Sequence, residues 1–311
     1  MKRKYVFGPV LSRRLGVSLG VDLVTPKTCP LDCIYCEARA TTDLTVTRKE
    51  YVPVDEVIAE LDHTLKNAPL PDYITFSGAG EPTLNSRIGD VVRFVKSHYP
   101  QCKLCLLTNG VLFGDAALRA DVAAADLVIP SLDASNEAEY QQINRPHRSS
   151  TLATLVADIT TFAREYKHRL VLEIFIVPGI NDSPASIARF ARLVAQIAPQ
   201  AVQLNTLDRP GVVADIQVAT PEKLAEFAAA LEPYCQVEII KPLVKEQQRH
   251  ISTSLEEKLL DILSHRCLDL TALAQVSGIP EAELRPELER LIRRQLIVAS
   301  AAGYTAFHLS E

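Results

Sequence analysis

Cys29, Cys33 and Cys36 fall within eight residues, in the run Cys-Pro-Leu-Asp-Cys-Ile-Tyr-Cys. Three thiolates this close together can hold three irons of a cubane cluster. With no fourth protein ligand at a matching spacing, the fourth iron would be open to a chelating small molecule. A structural zinc site fits less well, because it wants four protein ligands, usually as two separated pairs, and the nearest histidine downstream is His63. A redox Cys-x-x-Cys would leave Cys29 without a role. A second Cys-x-x-Cys, Cys102 and Cys105, sits just before or within an apolar run, where cysteine packs as a small hydrophobe. Core packing is likewise the expectation for Cys235 and Cys267.

The elements that must position the triplet alternate in type. Strands are expected at Ser18–Val24, Tyr73–Ser77, Lys103–Thr108, Leu127–Leu132, Leu170–Val177, Ala201–Leu207 and Gln236–Lys241. Helical spacing recurs between them, at Val54–Lys66, Ile88–His98, Leu152–Tyr166, Ile187–Ile197 and Pro221–Leu231. Alternation of this kind predicts an α/β fold with a parallel sheet, as a barrel or an open doubly wound sheet. In both, chemistry belongs at the C-terminal ends of the strands. The cysteine triplet follows the first of these strands. Gly- and Asn-rich turns follow the later ones: Ser77 to Thr83, Thr108-Asn109-Gly110, Ser131 to Asp133, and Pro178-Gly179.

Cys-x3-Cys-x2-Cys after the first strand, with aromatic Tyr35 before the last cysteine, resembles the radical S-adenosylmethionine (SAM) superfamily. The resemblance extends to about residue 240. It implies a partial (β/α)6 TIM-type barrel and one [4Fe-4S] cluster on Cys29, Cys33 and Cys36. SAM would chelate the open iron through its amino and carboxylate groups. The reduced cluster would cleave SAM to methionine and a 5′-deoxyadenosyl radical, which abstracts hydrogen from a substrate. A reductant such as flavodoxin or ferredoxin is implied as a partner. Gly78, Ala79, Gly80 and Glu81 resemble the Gly-Gly-Glu segment that meets the SAM amino group, with Ala79 interrupting the pair. Thr108 and Asn109, and Ser131 and Asp133, resemble segments that reach the SAM carboxylate or ribose. Glu173 and Val177, in the run from Glu173 to Asn181, resemble the segment against adenine and ribose, and Asn205 and Leu207 stand at the sixth strand end. No catalytic side chain is identified.

The stretch from Tyr5 to Gly16 resembles a branch of small iron-sulfur oxidoreductases near the tRNA wyosine synthases. Arg13 and Arg14 within it, and Arg145, His147 and Arg209 in later polar loops, are candidates for substrate contact. A full wyosine synthase is a poor match, because its second cluster needs further N-terminal cysteines and none precedes Cys29.

The chain divides by pattern into 1–240, a polar linker at 241–253, and 254–311. The last part reads as three helices and a hairpin turning near Gly303, a winged-helix-like module. Its third helix begins with Glu281, Glu283, Glu287 and Glu289, which phosphates would repel, so duplex DNA is not the expected partner. The formal net charge of −5 argues against a general polyanion binder, although the first fifty residues are locally basic. No run of about 18 apolar residues exists to span a membrane. No signal peptide is expected, since Tyr5 to Gly20 contain Gly, Pro and two Arg. With an odd count of seven cysteines, a reducing cytoplasmic setting is expected. The expected activity is radical chemistry on RNA or a polypeptide. The alternatives are a small metabolite as substrate, or a non-enzymatic iron-sulfur regulator that reads DNA.

Overall fold

The computed structural model describes residues 4–208, 211–213, 215–241, 255–265, 268–294, 296–300 and 303–306. An antiparallel hairpin of β1 (Val6–Ser12) and β2 (Gly16–Val21) opens the chain. From β2 onward a strand and its covering helix alternate: α1 (Val54–Asn67), β5 (Tyr73–Phe76), α2 (Ile88–His98), β6 (Lys103–Thr108), α3 (Ala116–Val122) and β7 (Leu127–Pro130). Then come α4 (Glu137–Ile143), α5 (Leu152–Glu165), β8 (Arg169–Phe175), α6 (Pro184–Ile197), β9 (Ala201–Asn205), α7 (Pro221–Leu231) and β10 (Gln236–Ile239). A small parallel pair, β3 (Thr28–Cys29) and β4 (Asp43–Leu44), stands apart from this series.

The main sheet has the order β1-β2-β5-β6-β7-β8-β9-β10, and every pairing after the first is parallel. Six strand–helix units therefore run from β2 to α7, with β10 as the final strand. Parallel strands need covered faces, and the helices supply one cover. Val57, Leu61, Val91, Val95, Ile159, Phe190 and Phe227, at helical spacing on their elements, are all buried in the main core. The other face carries a second apolar cluster: Cys105, Leu127, Ile129, Val171 and Ala201, joined by Leu15 from the β1–β2 turn. Leu15 belongs to one edge of the sheet yet packs on residues of β6 to β9. The sheet is thus curled around this cluster into an incomplete barrel, with the hairpin turn folded into its lumen.

The structure adds β1, β3, β4, α3 and α4 to the expected elements. In β1, Gly8-Pro9 interrupts the apolar pattern and the pairing with β2 slips between Phe7 and Val10, which an edge strand tolerates. The helices α3 and α4 are short, and each starts at a side-chain cap, Asp115 and Asn136.

The expected linker at 241–253 lies outside the described residues except for Lys241. Beyond it lie α8 (Leu255–His265), α9 (Leu270–Ser277), α10 (Glu281–Arg293) and the hairpin β11 (Ile297–Ser300) with β12 (Gly303–Ala306). Leu259, Leu263, Leu273, Leu284, Leu288, Leu291 and Ile297 form a core of their own. No described helix is long and apolar enough to cross a membrane.

Candidate SAM and iron-sulfur site

The loop carrying Cys29, Cys33 and Cys36 is pinched at its base where β3 pairs with β4. Thr41 closes it from within, donating its backbone N–H to Asp32 Oδ1 at 2.7 Å and its hydroxyl to the Leu31 carbonyl at 2.7 Å. The chain just after α4 runs along one side of the loop as a strap. Ile34 N–H donates to the Ile143 carbonyl at 2.9 Å, Asp32 N–H to the Asn144 carbonyl at 2.9 Å, and His147 N–H to the Pro30 carbonyl at 2.8 Å. On the other side Val213 N–H donates to the Ile34 carbonyl at 3.0 Å.

Each thiol in the loop has its own donor. Asn109 Nδ2 stands 3.5 Å from Cys29 Sγ, and Asn144 Nδ2 stands 3.4 Å from Cys33 Sγ. The Lys27 ammonium bonds Cys36; burial works against its charge, but the three cysteines outweigh that and raise its pKa. Burial pushes the Cys29 thiol up to about 12 and the Cys33 thiol well above its ordinary value. Such thiols become thiolates when a metal centre displaces their protons. Among the described residues no three His, Cys, Asp or Glu side chains close on a single-ion point.

The turn after β5 is pressed onto this loop. Gly78 has φ +129, and a Cβ there would lie 1.7 Å from Asp22 Oδ1. A Cβ on Gly80 would lie 2.2 Å from the carbonyl oxygen of Thr28, the residue before Cys29. Ala79 N–H donates to Asp22 Oδ1 at 2.8 Å, and Glu81 N–H to that Thr28 carbonyl at 3.0 Å. The buried Glu81 carboxylate accepts from the Thr83 and Thr108 hydroxyls at 2.6 and 2.7 Å and from Asn109 N–H at 2.8 Å. Burial raises its pKa, and these donors pull it back. Glu81 thus ties the β5 and β6 strand ends together.

At the next strand ends, Ser131 bridges to Glu173, and Asp133 becomes a hub. Its carboxylate accepts from the Tyr35 hydroxyl at 2.5 Å, Asn144 Nδ2 at 2.8 Å and Phe175 N–H at 3.0 Å. Tyr35 stacks on Phe175 with ring centroids 3.8 Å apart. Around this stack lie Ile34, Ile143 and Val177, with Leu207 and Val213 packed against them, an apolar patch beside the cysteine loop.

The model of the radical SAM superfamily matches residues 23–191, which span the cysteine loop, the glycine turn and the strand ends through α6. This chain belongs to the radical SAM superfamily. Members of the superfamily use a [4Fe-4S] cluster and SAM, and these are the cofactors of the domain. Along almost its whole length the chain is similar to a Helicobacter pylori protein called UPF0026, with 30% identity over 97% of this chain and 96% of that protein. It is also 32% identical to a Brachyspira hyodysenteriae protein called GTPase Obg, over 98% of this chain but 45% of that relative, so it spans less than half of that protein. Among solved structures, a radical SAM methyltransferase from Sphaerobacter thermophilus aligns with a TM-score of 0.58 and 20% identity, over 71% of this chain and 65% of that one. That likeness is one of fold.

The structure gathers Cys29, Cys33, Cys36, Tyr35, Gly78, Ala79, Gly80, Glu81, Thr108, Asn109 and Asp133 around one loop. The Glu173 carboxylate pairs with Arg14 in the lumen, where Arg14 also lies 3.4 Å from Gln203 Oε1. Burial lowers the Arg14 pKa to about 10, so its guanidinium stays charged at neutral pH. Arg13 lies 3.6 Å from Asp208. Asn205 caps its own turn by accepting from Thr206 N–H at 3.0 Å. Arg145 and His147 sit on the strap, with Arg145 3.8 Å from Asp32. Arg209 lies outside the described residues.

Sequence reasoning gave Lys27 no role, placed Asn144 in a polar loop, and named Asn181 only as the end of the run that starts at Glu173. Asn181 is fully buried and donates to the carbonyls of Asp133 and Phe175, both at 2.8 Å. A signal for Asn144 was available: an Asn directly before Arg-Pro fits a helix stop.

Proposed function

We propose that Cys29, Cys33 and Cys36 hold one [4Fe-4S] cluster with an iron left for SAM, and that the enzyme modifies a macromolecule, RNA or a polypeptide. The observation that carries the cofactor half is the glycine turn packed on the residue before Cys29, with polar groups from two further strand ends around the same loop. When bound, the cluster and SAM supply reductive cleavage of SAM to methionine and a 5′-deoxyadenosyl radical. The chain's own residues do the positioning. Gly78 and Gly80 let backbone approach closely, Asn109 and Glu81 fix the polar rim, and Tyr35, Phe175, Val177 and Leu207 present an apolar surface that excludes water from the adenosyl group. In the lumen the ion pairs of Arg14 with Glu173 and of Arg13 with Asp208 meet the substrate, at an end left open by the incomplete barrel.

The macromolecular substrate rests on residues 255–306, a winged-helix-like module that adds a recognition surface the radical chemistry does not need. Ion pairs from Arg285 to Glu281 and from Arg293 to Glu289 neutralise cations on its third helix, which disfavours duplex DNA. A reductant of the flavodoxin or ferredoxin type and a cytoplasmic setting complete the reading. The test is anaerobic reconstitution followed by dithionite reduction with SAM. About four irons and four sulfides per chain, with slow release of 5′-deoxyadenosine and methionine, are expected. A cluster-loaded sample that binds no SAM overturns the cofactor half. Co-purified RNA or peptide supports the macromolecular substrate, and turnover of a small metabolite by the truncated chain overturns it.

A further inference from the structure

Asn144 caps the end of α4 and is 1% exposed. Its backbone N–H donates to the Tyr140 carbonyl at 2.9 Å, and its own carbonyl accepts from Asp32 N–H in the cysteine loop at 2.9 Å. Both ends of the residue are therefore fixed. The side-chain Nδ2 points at two acceptors, Asp133 Oδ2 at 2.8 Å and Cys33 Sγ at 3.4 Å. Oδ1, on the other side, is buried and has no partner among the described residues. Buried polar atoms without partners are rare and costly. The opposite amide orientation would turn the oxygen toward the Asp133 carboxylate and the sulfur, so the donor orientation is the one the surroundings require.

Asn109 repeats the arrangement from another strand end. Its Nδ2 reaches Cys29 Sγ at 3.5 Å, while its Oδ1 accepts from Val111 N–H at 3.0 Å and its N–H donates to Glu81, which locks the amide. Two cysteines of the triplet thus receive side-chain N–H groups held by separate elements. Hydrogen bonds to cluster sulfurs are among the terms that set an iron-sulfur potential, and they stabilise the reduced form because it is the more negative one. A dry surrounding strengthens that effect.

We infer that Asn144, with Asn109 as its counterpart, raises the reduction potential of the cluster by donating to the cysteine thiolates. Asn144 is a positioning residue, acting through Cys33. The inference rests on the reading that the triplet holds the cluster. It would ease reduction by a physiological donor before any substrate is bound.

The experiment is an EPR-monitored redox titration of reconstituted full-length protein, comparing the native chain with Asn144→Leu, which keeps volume and removes the donor. At a fixed poise the ratio of reduced to oxidised cluster is expected to fall about tenfold, which is about 59 mV for a one-electron couple. A loaded variant with an unchanged potential overturns the inference and leaves the cluster assignment intact. A native chain that fails to load about four irons overturns the assignment itself. Should Asn144→Leu not fold or load, the native chain still decides the matter. Labelled with ¹⁵N in asparagine side-chain amides, its reduced cluster is expected to show ¹⁵N hyperfine coupling in pulsed EPR, and absence of coupling overturns the inference.

Discussion

Two stretches of this chain carry cysteines three residues apart, Cys33 with Cys36 and Cys102 with Cys105, and the fold treats them in opposite ways. The first pair lies in a loop beyond a strand, with Cys29 nearby, an asparagine donor to Cys33 and a lysine donor to Cys36. The second enters and follows β6, where side chains alternate between faces. Cys102 is buried in the core beneath the helices, and Cys105 in the lumen cluster. Their thiols face opposite sides of the sheet and cannot share a ligand. Burial raises the pKa of Cys105 to about 12, as it does that of Cys29, so acidity does not separate the groups. Backbone conformation and neighbouring N–H donors do.

The most forceful way to break this comparison is to remove one cysteine from each group. Cys33→Ala is expected to lose most of its iron after anaerobic reconstitution. Cys102→Ala and Cys105→Ala are expected to keep it and to lose only about 1 kcal/mol of stability, the usual cost of deleting one buried heavy atom. Iron and sulfide analysis with a denaturant curve reads both. Iron retained by the Cys33 variant, or lost by either strand variant, would reverse the assignment of the two groups.

A smaller effect is expected from the support beneath the loop. In Gly80→Val the new Cβ meets the Thr28 carbonyl, a backbone atom that cannot swing aside. The β5 turn and the cysteine loop must separate, at a cost typical of overpacking, about 1–3 kcal/mol. Slower cluster loading and a lower melting temperature are expected together. A variant that melts earlier yet loads at the native rate would mean that the turn supports the fold and not the cluster.

The contrast between loop and strand was legible in the sequence, because it follows from where each cysteine run falls relative to period-two apolar patterns. The glycine turn was legible for a similar reason, since Gly at two positions after a strand signals close approach. The alternation of strands and helices and the three helices of the tail also followed from periodicity, while the barrel order came from the family resemblance. What escaped were pairings between distant residues. Nothing local in Glu173 reveals that Arg14 will pair with it, since the two are 159 positions apart. Tyr35 and Asp133 meet across 98 positions. In the sequence Asn144 to Arg148 read only as a polar loop with candidates for substrate contact; its backbone hydrogen bonds to the cysteine loop are not displayed there.

A milder perturbation uses pH. Burial raises the pKa of Asp22 from 3.8 to about 7, and Ala79 N–H pulls it back only in part. The folded chain therefore holds this proton longer than the unfolded chain does. Stability from this group is highest below pH 3.8, falls as pH rises toward about 7, and is flat above that. The total is no more than about 4 kcal/mol, at 1.36 kcal/mol per unit. Asp22→Asn keeps an oxygen for Ala79 N–H and removes the charge. Urea midpoints between pH 5 and 8 are expected to decline in the native chain relative to the variant. Parallel profiles would show that Asp22 is ionised in the fold throughout, with a compensating cation.

The smallest effect on the cysteine loop is expected from removing the tail. The described part of residues 255–306 has its own apolar core, and among the described residues the polar groups around Cys29, Cys33 and Cys36 come from residues before 214. A chain cut after Lys241 is therefore expected to load iron and cleave SAM without substrate at close to the full-length rate. One contact opposes this: Arg39, three residues past Cys36, lies 3.4 Å from the Thr305 hydroxyl in the tail hairpin. A single part-buried hydrogen bond of that length contributes about 0.5–1.5 kcal/mol, too little to decide whether the loop forms when strap, β3–β4 pair and glycine turn all hold it. Arg39→Ala in the full-length chain separates the possibilities. If truncation and Arg39→Ala both reduce iron content, the hairpin is a lid on the loop and the tail belongs to the cofactor site. If both leave iron and uncoupled SAM cleavage unchanged while truncation abolishes retention of co-purified RNA or peptide, the tail serves the substrate and the cysteine loop is complete without it.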